Sequence, residues 1–195
     1  DWREVRPDVT VVPHGAREWA AEPDFGRERR GLYYVGSMNR ALDLELLRAI
    51  AARCDAGVRV IGAVPAEPLG EGIHAVGWRA AGDIPAELAD AVAGLVPYVG
   101  DDFGAGVYPT KVYDYLLAGA PVLSTPLPAL QGLPHVRTCA TADGFADGYR
   151  WAMGLDVAER RAMREYALAN GWSQRFETVR ELLAPVEPTV FGGDA

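Results

Sequence analysis

Cysteine is scarce: Cys54 and Cys139 stand far apart in 195 residues and neither belongs to a C-x-x-C pair, so a disulfide framework or thiolate metal site finds no support. Histidine is scarce as well. His14, His74 and His135 lack metal-ligand spacing, and no metal is assigned. No block of Lys and Arg occurs: the densest basic cluster, Arg27, Arg29 and Arg30, is interrupted by Glu28, and the formal net charge is −8, which disfavours nucleic acid as a partner. Long apolar runs are missing too. The longest such stretch, Ala91 to Val99, is broken by Gly94 and Pro97 and is far too short to cross a bilayer, and no charged-then-apolar leader opens the chain. A reducing, cytoplasmic setting fits this pattern. Also absent are G-x-x-x-x-G-K-[ST], a strand followed by G-x-G-x-x-G, and a serine-centred elbow, which sets aside P-loop, dinucleotide and serine-hydrolase chemistry.

What is present is ordinary globular material. With 49% apolar and 24% charged residues the chain can bury a real core as one domain, and two small domains would be crowded. From Gly31 onward, short β-rich runs alternate with helical stretches, the pattern of βαβ units feeding a parallel sheet. The spacing predicts strands at 32–35, 58–61, 73–76, 94–96, 121–124 and 136–139. A helix carrying Leu42, Leu46, Leu47, Ile50 and Cys54 on one face follows the first strand, and a short helix at 84–90 opens on Pro85. Three closing helices are expected at 142–153, 157–170 and 173–183, with Gly171 as the stop between the last two and Ser173 as an N-cap.

The fold class is therefore α/β: a Rossmann-like, doubly wound parallel sheet of about six strands with helices on both faces, plus C-terminal helices. Ahead of it, Val9-Thr10-Val11-Val12-Pro13-His14-Gly15 reads as a strand running into a turn, and 20–30 as a polar surface connection. The first three strands end in glycine, at Gly36, Gly62 and Gly77. Ligands of open parallel sheets sit beyond the carboxyl ends of strands, where glycine lets backbone approach a ligand, so this repetition points to a cleft on that edge.

The most informative stretch runs from Gly104 to Gly119 and on through Ala120-Pro121-Val122-Leu123-Ser124-Thr125. It reads as a glycine loop, a helix opened by Pro109, a stop at Gly119 and a buried strand, with Val112, Tyr115, Leu116 and Gly119 on the buried helix face. Lys111 is out of place in a first helical turn: the dipole is positive there, and a cation costs roughly 0.3–1 kcal/mol unless an anion lies nearby. Backbone N–H groups of the Gly104–Gly106 loop, the helix start and Lys111 would converge on a phosphate, and Asp114 at i+3 would accept from a sugar hydroxyl. The plainer alternative is a turn followed by an exposed Lys111–Asp114 couple worth only about 0.2–0.5 kcal/mol.

In order along the chain, Val11-Val12-Pro13-His14-Gly15, Tyr34-Val35-Gly36-Ser37-Met38, Val60-Ile61-Gly62, Val76-Gly77-Trp78, Ala91-Val92-Ala93-Gly94-Leu95-Val96-Pro97-Tyr98 and Pro109-Thr110-Lys111-Val112-Tyr113-Asp114-Tyr115-Leu116-Leu117-Ala118-Gly119-Ala120-Pro121-Val122 resemble the C-terminal half of GT-B fold glycosyltransferases of the group 1 type. The resemblance spans nearly the whole chain and is most specific in its last segment. It implies that 31–184 is the donor-binding half of a hexosyltransferase-like enzyme of polysaccharide biosynthesis, with 1–30 a strand and connection from a missing N-terminal acceptor-binding domain and 185–195 a flexible tail. The donor would be a UDP- or GDP-linked sugar, with no cofactor, and membrane contact would come only through the absent half. By itself the domain is expected to be inactive.

Carried over by position, the resemblance implies that Gly36 and Ser37 meet the donor's phosphate or sugar and that Trp78 and Arg79 meet the nucleobase. Asp114 would hold the ribose hydroxyls in place of the family's glutamate, and Lys111 would face the diphosphate and stabilise the leaving group. Gly62, Tyr108, Pro109 and Thr110 complete the expected donor-binding set, and Arg40 would stand in for the basic residues usual after the first strand's glycine. Glycosyl transfer builds negative charge on the departing diphosphate, which a fixed lysine stabilises without a metal.

Departures from the family pattern are visible. Gly106 stands where many relatives carry the first of two glutamates eight positions apart, and His14 replaces a frequent asparagine, as a turn residue or a junction contact. Tyr98 and Tyr108 line the cleft or cover the sheet edge, Trp78 and Trp172 pack or stack, and Asp101 and Asp102 read as solvated loop acids. Two other functions compete: a non-catalytic nucleotide-binding or regulatory module, and a sugar-nucleotide epimerase of the same fold, for which no histidine and acid are convincingly placed.

Overall fold

The computed structural model describes residues 6, 8–19, 21–66, 68–100 and 106–184. Six strands, β1 (Leu32–Val35), β2 (Val58–Ile61), β3 (Ile73–Gly77), β4 (Ala93–Val96), β5 (Val122–Ser124) and β6 (Val136–Thr138), form one sheet in the order β3-β2-β1-β4-β5-β6. Every neighbouring pair is parallel. The central strands β1, β4 and β5 are buried almost throughout, as a sheet covered on both faces requires. The helices are α1 (Leu44–Ala51), α2 (Ile84–Glu87), α3 (Lys111–Leu117), α4 (Ala142–Met153), α5 (Val157–Ala169) and α6 (Trp172–Leu183). Helix α1 carries the chain from β1 to one side, and α3 carries it from β4 to the other. Right-handed crossovers therefore put α1 and α3 on opposite faces, where α1 packs with α4 and α3 with α5.

The strand order reverses between β1 and β4, so the crevice that an open α/β sheet offers lies beyond their carboxyl ends. There the β1–β4 ladder is short, pairing only Leu32 with Ala93 and Tyr33 with Gly94. Tyr115 of α3 bridges the two strands past that point. Its hydroxyl accepts from the Val35 N–H at 2.8 Å and donates to the Leu95 carbonyl at 3.2 Å. The ring lies flat on Gly94, where a Cβ would come within 2.1 Å of it, so only glycine admits this approach.

Several expectations need correction. The helix after β1 begins at Leu44, not Leu42, because the Asp43 carboxylate caps it by accepting from the Leu46 N–H; Leu42 instead forms an antiparallel bridge with Tyr98. Residues 9–12 form no strand. Proline at 13 removes a donor, and the pairing this segment finds is a single parallel bridge from Ala16 to Gly171 at the α5–α6 junction. The connection at 20–30 is not all surface, since Phe25 is buried against Gly119 and Arg29 is buried with its guanidinium donating to the Ala118 carbonyl. Helix α6 starts at Trp172 with Gly171 in the N-cap position, so Ser173 is not its cap; the Ser173 hydroxyl donates to Glu18 at 3.3 Å. Asn170, rather than Gly171, closes α5. The expected tail at 185–195 and the loop residues 101–105, with Asp101, Asp102 and Gly104, lie outside the described residues.

Candidate functional site

Helix α3 delivers Lys111 to the crevice between β1 and β4. It is the only lysine of the chain, all the other basic residues being arginine. Its Nζ lies 3.9 Å from the centre of the Tyr34 ring on β1 and 5.0 Å from that of Tyr98, just past β4. A Cβ at Gly36, whose φ is +140°, would stand 2.8 Å from that nitrogen, so the ammonium rests against the backbone of the β1–α1 loop. Two aromatic faces hold a cation while keeping water from it. Burial pulls the Lys111 pKa down to about 7, and the Asp114 carboxylate opposes that fall.

The walls of the crevice are pinned. The Tyr34 hydroxyl donates to the Ser37 carbonyl at 3.1 Å. The Tyr98 N–H donates to Thr125 Oγ1 at 3.1 Å, and that hydroxyl donates back to the Tyr98 carbonyl at 2.9 Å. Gly36 N–H donates to Ile61 and Gly62 N–H to Gly77, so three strand-ending glycines knit β1, β2 and β3 together. At Gly62, φ is +148° and a Cβ would fall 2.2 Å from the Gly36 oxygen.

The helix start differs from expectation. Helix α3 begins at Lys111, and Pro109 precedes it, its carbonyl accepting from the Val112 N–H at 3.1 Å in a turn; Thr110 occupies the N-cap position with no side-chain cap. Lys111 does not pair with Asp114 as an exposed couple. Asp114 is only 4% exposed, and its Oδ2 accepts from the Arg17 guanidinium at 2.7 Å. Burial raises the Asp114 pKa, against which Arg17, the Trp19 indole and His14 all act. His14 packs edge-on to Trp172 with ring centres 4.8 Å apart, and its Nδ1 is buried with no hydrogen-bond partner among the described residues.

Gly36, Ser37 and Lys111 thus gather at one point, Gly62 stands on the next strand, and Asp114 lies one helical turn along α3. Trp78, 72% exposed, and Arg79, paired with Glu87 at 2.5 Å, follow β3, two strands or roughly 10 Å from β1. Arg40 is exposed on the β1–α1 loop, as is Thr110 before α3, while Pro109 is buried. Tyr108 faces α3, its hydroxyl 3.0 Å from that of Tyr113 and the two rings stacked. Gly106 is exposed. Sequence reading missed Tyr34 and Arg17. Tyr34 sits two residues before the strand-ending glycine, a usable signal, whereas nothing near Arg17 in the sequence marks it as a partner of a residue 97 positions away. Among the described residues no cluster of His, Cys, Asp or Glu could hold a metal ion, and no helix is long and apolar enough to cross a membrane.

No family model and no curated protein sequence matches the chain. Solved structures do. AviGT4, a glycosyltransferase involved in avilamycin A biosynthesis, is 21% identical with a TM-score of 0.61, over 82% of this chain and 52% of its own. A UDP-forming alpha,alpha-trehalose-phosphate synthase from Burkholderia xenovorans is 14% identical with a TM-score of 0.59, over 85% of this chain and 46% of its own. TarM is 8% identical with a TM-score of 0.55, over 92% of this chain and 38% of its own. The chain therefore has the fold of a domain of GT-B glycosyltransferases, and it spans about half or less of the length of the structures it matches.

Proposed function

We propose that this chain is the donor-binding half of a glycosyltransferase, which takes a sugar from a UDP- or GDP-linked donor and passes it to an acceptor held by a second domain. The observation that carries the reading is the position of Lys111: the one ammonium of the chain, drawn down in pKa, stands at the crevice where the strand order reverses, against bare glycine backbone. The UDP-forming synthase among the similar structures supports a uridine donor.

In this reading the diphosphate lies against Lys111 and the Gly36–Ser37 backbone, and Asp114 takes the ribose hydroxyls. Trp78 offers an exposed ring for the base beside Arg79 and Gly62, and Arg40, Tyr108, Pro109 and Thr110 border the donor. As the bond from the sugar carbon to the diphosphate breaks, its electron pair passes to the phosphate oxygen, where a charged Lys111 stabilises it. The acceptor oxygen bonds to that carbon and gives up its proton to the departing phosphate oxygen. A lysine that titrates near pH 7 takes its charge as the anion arrives, which a permanently charged arginine cannot do. The reaction belongs to the cytoplasm, in building a polysaccharide or other glycoside. A non-catalytic nucleotide module is the second reading, favoured by the exposed glycine at 106 where a carboxylate would contact the donor sugar.

Calorimetric titration with UDP and with GDP tests the proposal. Weak binding is expected, and Lys111→Ala is expected to weaken it more than Asp114→Ala at neutral pH. No binding of either nucleotide, or unchanged binding by Lys111→Ala, overturns the reading. The chain alone is expected not to transfer sugar, and measurable transfer without a second domain overturns the two-domain arrangement.

A further inference from the structure

We infer that Arg17 is a positioning residue for this site: through its ion pair with Asp114 it holds that carboxylate charged beside Lys111, and so keeps the ammonium ready for a diphosphate. The inference rests on the donor-binding reading for its purpose, but not for its geometry. Arg17 comes from the segment ahead of the sheet, held in place by the Ala16–Gly171 bridge, and its guanidinium reaches α3 to donate to Asp114 Oδ2 at 2.7 Å. Asp114 is almost wholly buried, and a carboxylate taken out of water stays ionised only when a cation or several donors face it.

The groups around Asp114 are Arg17, Trp19, His14, Lys111 and Tyr115. Trp19 supplies an indole, and the Tyr115 hydroxyl is spent on Val35 and Leu95. Of these groups it is the Arg17 guanidinium that donates directly to the carboxylate, as a charge-assisted hydrogen bond. The groups around Lys111 are Asp114, the rings of Tyr34 and Tyr98, and the Gly36 backbone. Asp114 is the one full negative charge among them. Without Arg17 the buried carboxyl holds a proton more readily, Lys111 loses part of its counter-charge, and the amine sheds its proton at lower pH. The Arg17 side chain is 49% exposed while the Asp114 side chain is 6% exposed, so solvent screens the pair from one side only, and the readout that isolates its role is the charge of the crevice.

Because the chain has a single lysine, selective labelling of lysine gives one NMR signal, and its titration reads Lys111 directly with no ligand present. In the wild type the midpoint is expected at about 7. In Arg17→Ala it is expected at lower pH, and in Arg17→Lys it is expected to return towards the wild-type value. A midpoint unmoved by Arg17→Ala, or not restored by Arg17→Lys, overturns the inference whether or not any nucleotide binds. The binding arm uses UDP: the deficit of Arg17→Ala is expected to be small at about pH 6 and largest at about pH 8, about tenfold for each unit by which the midpoint falls. An equal deficit at every pH, or tighter binding by Arg17→Ala, also overturns it. Failure of the wild type to bind UDP at any pH removes the donor-binding reading and leaves the lysine titration to decide the electrostatic link.

Discussion

The Lys111 ammonium lies 3.9 Å from the centre of the Tyr34 ring, one aromatic face supporting a charge that the surroundings otherwise withdraw from water. A pocket arranged in this way stores a cost that a bound anion repays, and the cost has a measurable pH signature.

Lys111→Met is expected to stabilise the fold by about 1 kcal/mol at pH 6, the cation–π contacts offsetting part of the gain. The pKa of Lys111 falls from 10.5 when the chain is unfolded to about 7 when it is folded, so between these values the unfolded state binds more protons and wild-type stability rises with pH. Below pH 7 the ammonium is charged in both states and its cost is felt in full. The advantage of the methionine variant is therefore greatest below 7 and fades as pH rises towards 10.5, which urea melts at several pH values would show. An advantage that grows with pH contradicts the assignment.

Tyr115→Phe removes the hydroxyl that joins Val35 to Leu95 across the β1–β4 gap, leaving a buried N–H without its acceptor. A loss of about 1–3 kcal/mol is expected by chemical denaturation, with the sheet otherwise intact. Gly94→Ala acts on the same contact more severely. Its new methyl would lie 2.1 Å from the tyrosine ring, so the variant is expected to fold poorly or not at all, and a stability within 0.5 kcal/mol of wild type, the range of about ±0.5 usual for neutral surface changes, contradicts the packing.

The six strands and their parallel pairing, though not their order in the sheet, were legible in the sequence because buried parallel strands are short apolar runs, the first three closed by glycine as in Leu32 to Gly36 and Val58 to Gly62. Helix edges were less so. Asp43 and Gly171 set two starts through caps that compete with neighbouring hydrophobic residues, and the valines at 9–12 carry strand propensity but join no strand of the sheet. In the candidate site, Lys111 and Gly36 could be read from local pattern alone. The Arg17–Asp114 pair could not, since an ion pair spanning 97 positions leaves no periodic trace.

Three arginines converge on the end of α3. Arg160 donates to Gly119 at 2.9 Å and to Ala152 at 2.6 Å, Arg29 to Ala91 at 2.8 Å and Ala118 at 3.0 Å, and Arg164 to Leu117 at 3.3 Å. Helix carbonyls at a C-terminus have no intrahelical partner and carry partial negative charge, so cations there satisfy both needs. Burial, and then the nearby like charge of Arg160, lower the Arg29 pKa to about 10. Arg29→Met and Arg160→Met are each expected to cost about 1–3 kcal/mol through carbonyls left unpaired. Each single change, however, also relieves the mutual repulsion, whereas the double variant relieves it only once. The double variant is therefore expected to lose more than the two singles together in urea denaturation, and strict additivity would show that the shared helix end does not couple them.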